Sequence, residues 1–238
     1  MEVHAPEHGI HSWRDFLVHM GTVFVGLLLA LALEQTVVAI HEAHERAELR
    51  AALDGDSRQA LLDSRRSEIN AEEQIAWAVN RAGQVRAALA TNAALPPRSR
   101  PHFDDMDLID DAAFKAAKAS GLLALLPQQD VLAYSEEDGA IDLTEKTFED
   151  WQRARKNLRA FELEFRSPTG VYDFSTATPA DLHRYLDLLV DAVLTAVAFR
   201  FWNEQDRGLE TALLSGERDL NKLHKSERTF NTSIPALK

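Results

Sequence analysis

With 238 residues, no cysteine and a formal charge of −12, the chain has room for one sizeable domain or two small ones. It carries no disulfide, thiolate metal site or thiol nucleophile, and it lacks the basic surface that non-specific nucleic-acid binding needs, so no nucleic-acid partner is expected. Hydrophobic residues make up 45% and charged residues 27%, the balance of a folded protein rather than a disordered one.

Residues 1–15 are a short polar segment containing Glu2, Glu7 and three histidines (His4, His8, His11) and ending near Trp13 and Arg14. From Phe16 to Leu33 there are eighteen residues without Asp, Glu, Lys or Arg, and after Glu34 and Gln35 the apolar run resumes to Ile40. As a helix, residues 16–40 span roughly 37 Å, enough to cross a ~30 Å hydrocarbon core with tilt. A cleaved signal peptide wants a basic start, a shorter apolar run and a small-residue cleavage site, whereas Ala30-Leu31-Ala32 is followed by more apolar chain. The segment therefore reads as an uncleaved single-pass anchor in a bacterial inner (cytoplasmic) membrane, with the lipid bilayer as its first partner. Two orientations compete. Arg46, Arg50 and Arg58 against Arg14 favour the large domain inside, while the usual arrangement of an N-terminal signal anchor places it outside. The periplasmic side is taken as the expectation.

Residues 41–94 contain no proline and are rich in alanine, leucine, glutamate and arginine, which predicts a helical stalk merging into the first bundle helix. Leu49 and Leu53, then Leu62, Ile69 and Ala76, fall at four- and seven-residue spacings and predict one apolar face. Asp54-Gly55-Asp56 is a potential kink. Leu95 to Pro101 holds three prolines and reads as a linker.

A bundle domain is expected over residues 104–216. Its first helix runs from about Asp107 to Leu126. The next is signalled by Asp142 and Glu145 as a capping box, with Phe148, Trp151, Ala154, Leu158, Phe161 and Phe165 as its seam. A last helix begins at Thr178-Pro179, with Asp181 in its first turn, and runs to about Leu214. Leu182, Tyr185, Leu189, Val193 and Ala196 form one stripe on it, and Leu188, Ala192, Phe199 and Trp202 another. Residues 217–238 read as a polar, loosely ordered tail. The fold class is all-α: one N-terminal transmembrane helix continuing into a stalk and an antiparallel bundle of about four helices.

Ionisable and amide groups in an apolar span are costly and point to contacts or function, which singles out His19, Glu34 and Gln35. His19 and Glu34 are ~22 Å apart along one helix and do not pair within a chain. Trp13, the small-xxx-small pair Gly26 and Ala30, and His41 with His44 are interface candidates; the histidines also suit plain interfacial placement at the ends of the span. His41-Glu42-Ala43-His44 is not the zinc-protease pattern, because position 45 is Glu45. Asp104, Asp105, Asp107, Asp110 and Asp111 form an acidic cluster. The aspartates suit a helix first turn, and the region from Asp104 to Asp150 carries net −10 of the chain's −12, a docking face for a basic partner. No metal site and no cofactor are expected, and no nucleophile elbow, phosphate loop or dinucleotide fingerprint is present.

The Phe16–Glu45 region, with its Gly-Leu-Leu-Leu-Ala-Leu-Ala-Leu-Glu-Gln run and histidine- and glutamate-rich exit, and the stretch AAFKAAKASGLLALLPQQDVLAY from Ala112 to Tyr134, resemble a group of uncharacterised bacterial single-span proteins. Phe114 stands where that group leads one to expect tryptophan. The resemblance implies an anchor plus a helical domain and no activity. The expected function is a non-enzymatic, membrane-anchored interaction protein, either an accessory subunit or scaffold of a larger complex or a homo-oligomer. The alternatives are an anchored sensor or ligand-binding domain and, further off, a metal-dependent enzyme using Asp107, Asp110 and Asp111.

Overall fold

A computed structural model describes residues 13–97 and 111–227. Its elements are α1 (Trp13–Thr91), α2 (Ala112–Ser120), a 3-10 turn (Leu122–Leu125), α3 (Gln128–Leu163), α4 (Pro179–Leu214) and α5 (Leu220–Glu227). Among the described residues there is no strand, only an isolated bridge between Arg166 and Tyr172. The protein is all-α, as its sequence leads one to expect. By contacts the chain divides into two units, Met1–Glu48 and Leu49–Lys238, and α1 contributes to both.

α1 continues without a break through Asp54-Gly55-Asp56 and ends at Thr91, so the single glycine is tolerated rather than used as a kink. Its buried stripe in the second unit is not the one that leucine spacing suggested. Leu49 and Leu53 are buried, but Leu62 and Ile69 are 50% and 61% exposed. The stripe instead runs through Ser57, Ala60, Ser64, Ser67, Ala71, Ile75, Ala78, Ala82 and Val85. A strict seven-residue repeat drifts around a 3.6-residue helix, and small side chains at the interface let neighbouring helices approach closely, so serine and alanine take the inward positions.

α3 starts fourteen residues before the expected cap, at Gln128, and Asp142 lies exposed within it. The Asp142–Glu145 signature is therefore not a helix start. Burial of Ala133, Tyr134 and Ile141 carries the helix upstream past Gly139. α2 is shorter than expected because Gly121 adopts φ +80° and closes it in the left-handed conformation. α4 begins where predicted: Thr178 and Asp181 form a full capping box, with Pro179 in the first turn. The segment expected to be a loose tail contains α5, whose Leu223 is wholly buried against Ala133, Leu209 and Leu213.

The contacts set the directions of the helices. Phe161 stacks on Tyr185 and Phe148 packs on Phe199, while Ala133 meets Leu209 and Leu213, so α3 and α4 are antiparallel. Arg50 and Asp54 on α1 meet Asp130 and Tyr134 on α3, so these two helices run the same way. After α1 the Pro96 carbonyl accepts a hydrogen bond from Arg81, and at the start of α2 Ala113 donates to Asp56. The main core joins residues 71–88 of α1 to the aromatic seam of α3 and to α4 from Leu182 to Phe199.

Candidate functional site: an exposed apolar helix and a buried carboxylate layer

One helix among the described residues, α1, is long and apolar enough to cross a membrane. Every residue from Leu17 to His44 is exposed. Thr22 and Thr36, the hydroxyls within this run, donate to the carbonyls of Val18 and Ala32, 2.9 and 2.7 Å away. Back-bonding of this kind satisfies a hydroxyl without water. Trp13 stacks on Phe16 with ring centroids 5.3 Å apart. His19, Glu34, Gln35, Gly26 and Ala30 are all exposed on this helix, and a Cβ at Gly26 would meet nothing within 4 Å. His41 and His44 do not converge on a shared ligand position: His41 faces Glu45 and His44 faces Glu48, each at 3.2 Å.

Of the five clustered aspartates, Asp104, Asp105, Asp107 and Asp110 lie outside the described residues. Asp111 is only 4% exposed and pairs with Lys115 at 2.6 Å. Burial raises its pKa above the usual carboxylate value, against the opposing pull of Lys115. Its carboxylate is committed inside the fold rather than offered to a partner.

The second unit contains a feature that was not read from the sequence. Along the inward faces of three helices, side chains turn polar together: Ser57, Ser64 and Ser67 on α1, Glu137 and Thr144 on α3, and Asn203, Asp206 and Glu210 on α4 are all buried. Asn203 donates from Nδ2 to the Ser64 carbonyl at 3.0 Å, and the Ser64 hydroxyl donates to the Asn203 carbonyl at 3.3 Å. Arg207, beside the layer, is held by Glu68 and by Glu204. Neither carboxylate oxygen of Glu210 hydrogen-bonds to a protein group, and Oε1 of Glu137 also has no partner.

Desolvation dominates the electrostatics. It pushes Glu137 up to about 7, with Asp56, Asp111 and Asp54 adding in the same direction against a hydrogen bond from Ser57. It pushes Glu210 up to about 10, reinforced by Asp206 and Glu137 and opposed by Arg207. Among the described residues no group of three or more His, Asp or Glu side chains is arranged to hold a metal ion. The available signal was register: Asn203, Asp206 and Glu210 continue, at three- and four-residue steps, the stripe that Leu189, Val193, Ala196 and Phe199 occupy upstream.

Two further polar clasps tie the unit together. Asp130 receives both Arg50 and Arg218, and Arg218 also reaches the Tyr134 hydroxyl, which itself donates to Asp54 at 2.8 Å. Near the other end of the bundle Arg81 is buried over the rings of Phe174 and Tyr185. No family model matches this chain, nor does any curated protein or solved structure.

Proposed function

We propose that this chain is a single-span, membrane-anchored interaction protein: an accessory subunit or scaffold that joins a larger membrane complex or assembles with copies of itself. The observation that carries the reading is the exposed, largely apolar surface, without Asp, Glu, Lys or Arg, from Leu17 to Leu33 and again from Thr36 to Ile40 on α1. These 22 residues match the ~20 that a helix needs to cross a bilayer. His19, Glu34 and Gln35 supply the polar contacts by which one span recognises another. The helical unit is assigned to the periplasmic side of a bacterial inner membrane, and its role is contact rather than catalysis.

The test is native mass measurement after solubilisation in a mild detergent or native nanodiscs, with identification of co-purifying chains. A mass at an integer multiple of 26.6 kDa makes it a homo-oligomer, and Glu34→Leu then weakens the assembly. A stoichiometric second protein makes it an accessory subunit. A strictly monomeric, partner-free chain in both media overturns the proposal, and protection of the helical unit from external protease in spheroplasts overturns the assigned side.

A further inference from the structure

Given the single-span reading on which this rests, we infer that one face of the span binds the same face of a second, parallel copy of this chain. Glu34 then meets Glu34 of that copy and His19 meets its His19, with Gly26 and Ala30 letting the two backbones approach between them. α1 is an unbroken helix from Trp13 to Thr91, so successive residues are about 100° apart around its axis. His19, Thr22, Gly26, Ala30 and Glu34 follow one another at three- and four-residue steps and share an arc of about 120°. Phe24, Leu28 and Leu31 lie on the other side of the helix.

Glu34 carries the need for a partner. At three- and four-residue steps along its own helix it has only Ala30, Leu31, Val37 and Val38, so no side chain one turn away can hydrogen-bond to it. Among the described residues neither Glu34 nor His19 has a hydrogen bond or an ion pair. The polar groups around them differ. His41 and His44, past the end of the span, each find a glutamate four residues on, Glu45 and Glu48, at 3.2 Å. The hydroxyls of Thr22 and Thr36 are satisfied by carbonyls of their own helix. An ionisable group left unsatisfied in hydrocarbon is costly, and a second helix lowers that cost by supplying the missing partner.

A second copy fits because the face is complementary to itself. Two copies inserted the same way place each residue at the depth of its twin. A neutral carboxyl and a neutral imidazole each carry one donor and one acceptor, so two of a kind satisfy one another, which two lysines or two arginines cannot do. Gly26 and Ala30, four residues apart between the two polar positions, allow the close approach of backbones that brings Glu34 within reach of its twin. A Cβ at Gly26 would meet nothing within 4 Å, so the approach is open.

The chain has no cysteine, so a single introduced thiol reports a single position. Val23→Cys and Val37→Cys lie on the pairing face and Phe24→Cys and Leu31→Cys off it, and all four leave Gly26 and Ala30 intact. Each full-length variant is oxidised with copper phenanthroline in native membranes. The first two should give at least about fivefold more of a band at twice 26.6 kDa than the other two. Adding Glu34→Leu should remove most of that band, whereas Glu34→Gln, whose amide also donates and accepts, should retain it. Equal yields on both faces, no dimer at Val23 or Val37, or a yield indifferent to Glu34→Leu overturns the inference. A different protein captured at these positions in place of the dimer overturns it too. Carbonate washing separates the two failures: a chain that stays in the membrane but forms no such dimer keeps the single-span reading, and a chain that washes off overturns both.

Discussion

Asn203 on α4 and Ser64 on α1 exchange hydrogen bonds across a fully buried contact, amide nitrogen to carbonyl at 3.0 Å and hydroxyl to carbonyl at 3.3 Å. This clasp lies at the level where the core turns from aromatic to acidic. Asn203→Ala removes one side of it and leaves a cavity, and should cost about 1–3 kcal/mol. Asn203→Asp adds a further carboxylate to the layer at constant shape and should destabilise more at alkaline than at acidic pH. Urea midpoints at both ends of the pH range check the pair.

Trp151 anchors the main core. It is stacked on Phe199 with centroids 5.1 Å apart and meets Phe148 edge-on. Trp151→Ala should cost about 3–5 kcal/mol, with Trp151→Phe recovering much of the loss. Chemical denaturation, together with loss of near-ultraviolet circular dichroism, reads the effect.

The Thr178–Asp181 box starts α4. Thr178→Ala should cost about 1 kcal/mol. Hydrogen bonds from Thr178 hold Asp181 below its usual carboxylate value, so its stabilisation is present above the unfolded pKa and is lost as the pH falls through the folded one. Amide hydrogen exchange across the first turn of α4 should therefore speed up in Thr178→Ala at neutral pH, and in the wild type only under acid.

Arg81 is 1% exposed. It donates to Gln84 Oε1 at 2.8 Å and to the Pro96 carbonyl at 3.1 Å, and approaches the Tyr185 hydroxyl at 3.4 Å. That hydroxyl donates to Glu162 at 2.8 Å. Arg81→Ala strands this network and should cost about 3–5 kcal/mol. Arg81→Lys keeps the charge without the planar fork and should fall between the two. Proteolysis rates within residues 91–97 should rise in both, because Arg81 holds the Pro96 carbonyl after the end of α1.

Large side chains made much of the fold legible. The α3 seam from Phe148 to Phe161 and the α4 stripe from Leu182 to Phe199 are buried as their spacing predicted, because bulky apolar groups at helical intervals have few other places to go. The start of α4 was legible because its cap is local chemistry. The start of α3 was not. Asp142 and Glu145 match a cap pattern, but helix length there is decided by what Tyr134 and Ala133 bury against, which no window around residue 142 contains.

The sequence alone determined the all-α class, the length of apolar helix from Phe16 to Ile40 and the absence of cysteine chemistry, since these depend on composition and on periodicity over a few turns. Only the tertiary structure decided that α1 turns Ser57, Ala60 and Ser64 inward and leaves Leu62 and Ile69 exposed, that α1 and α3 run the same way, and that Glu137, Asp206 and Glu210 are buried. A serine or a glutamate is equally at home on a solvated face. Its burial is set by the neighbours that converge on it, and residues 64 and 203 converge only once α1 and α4 have packed.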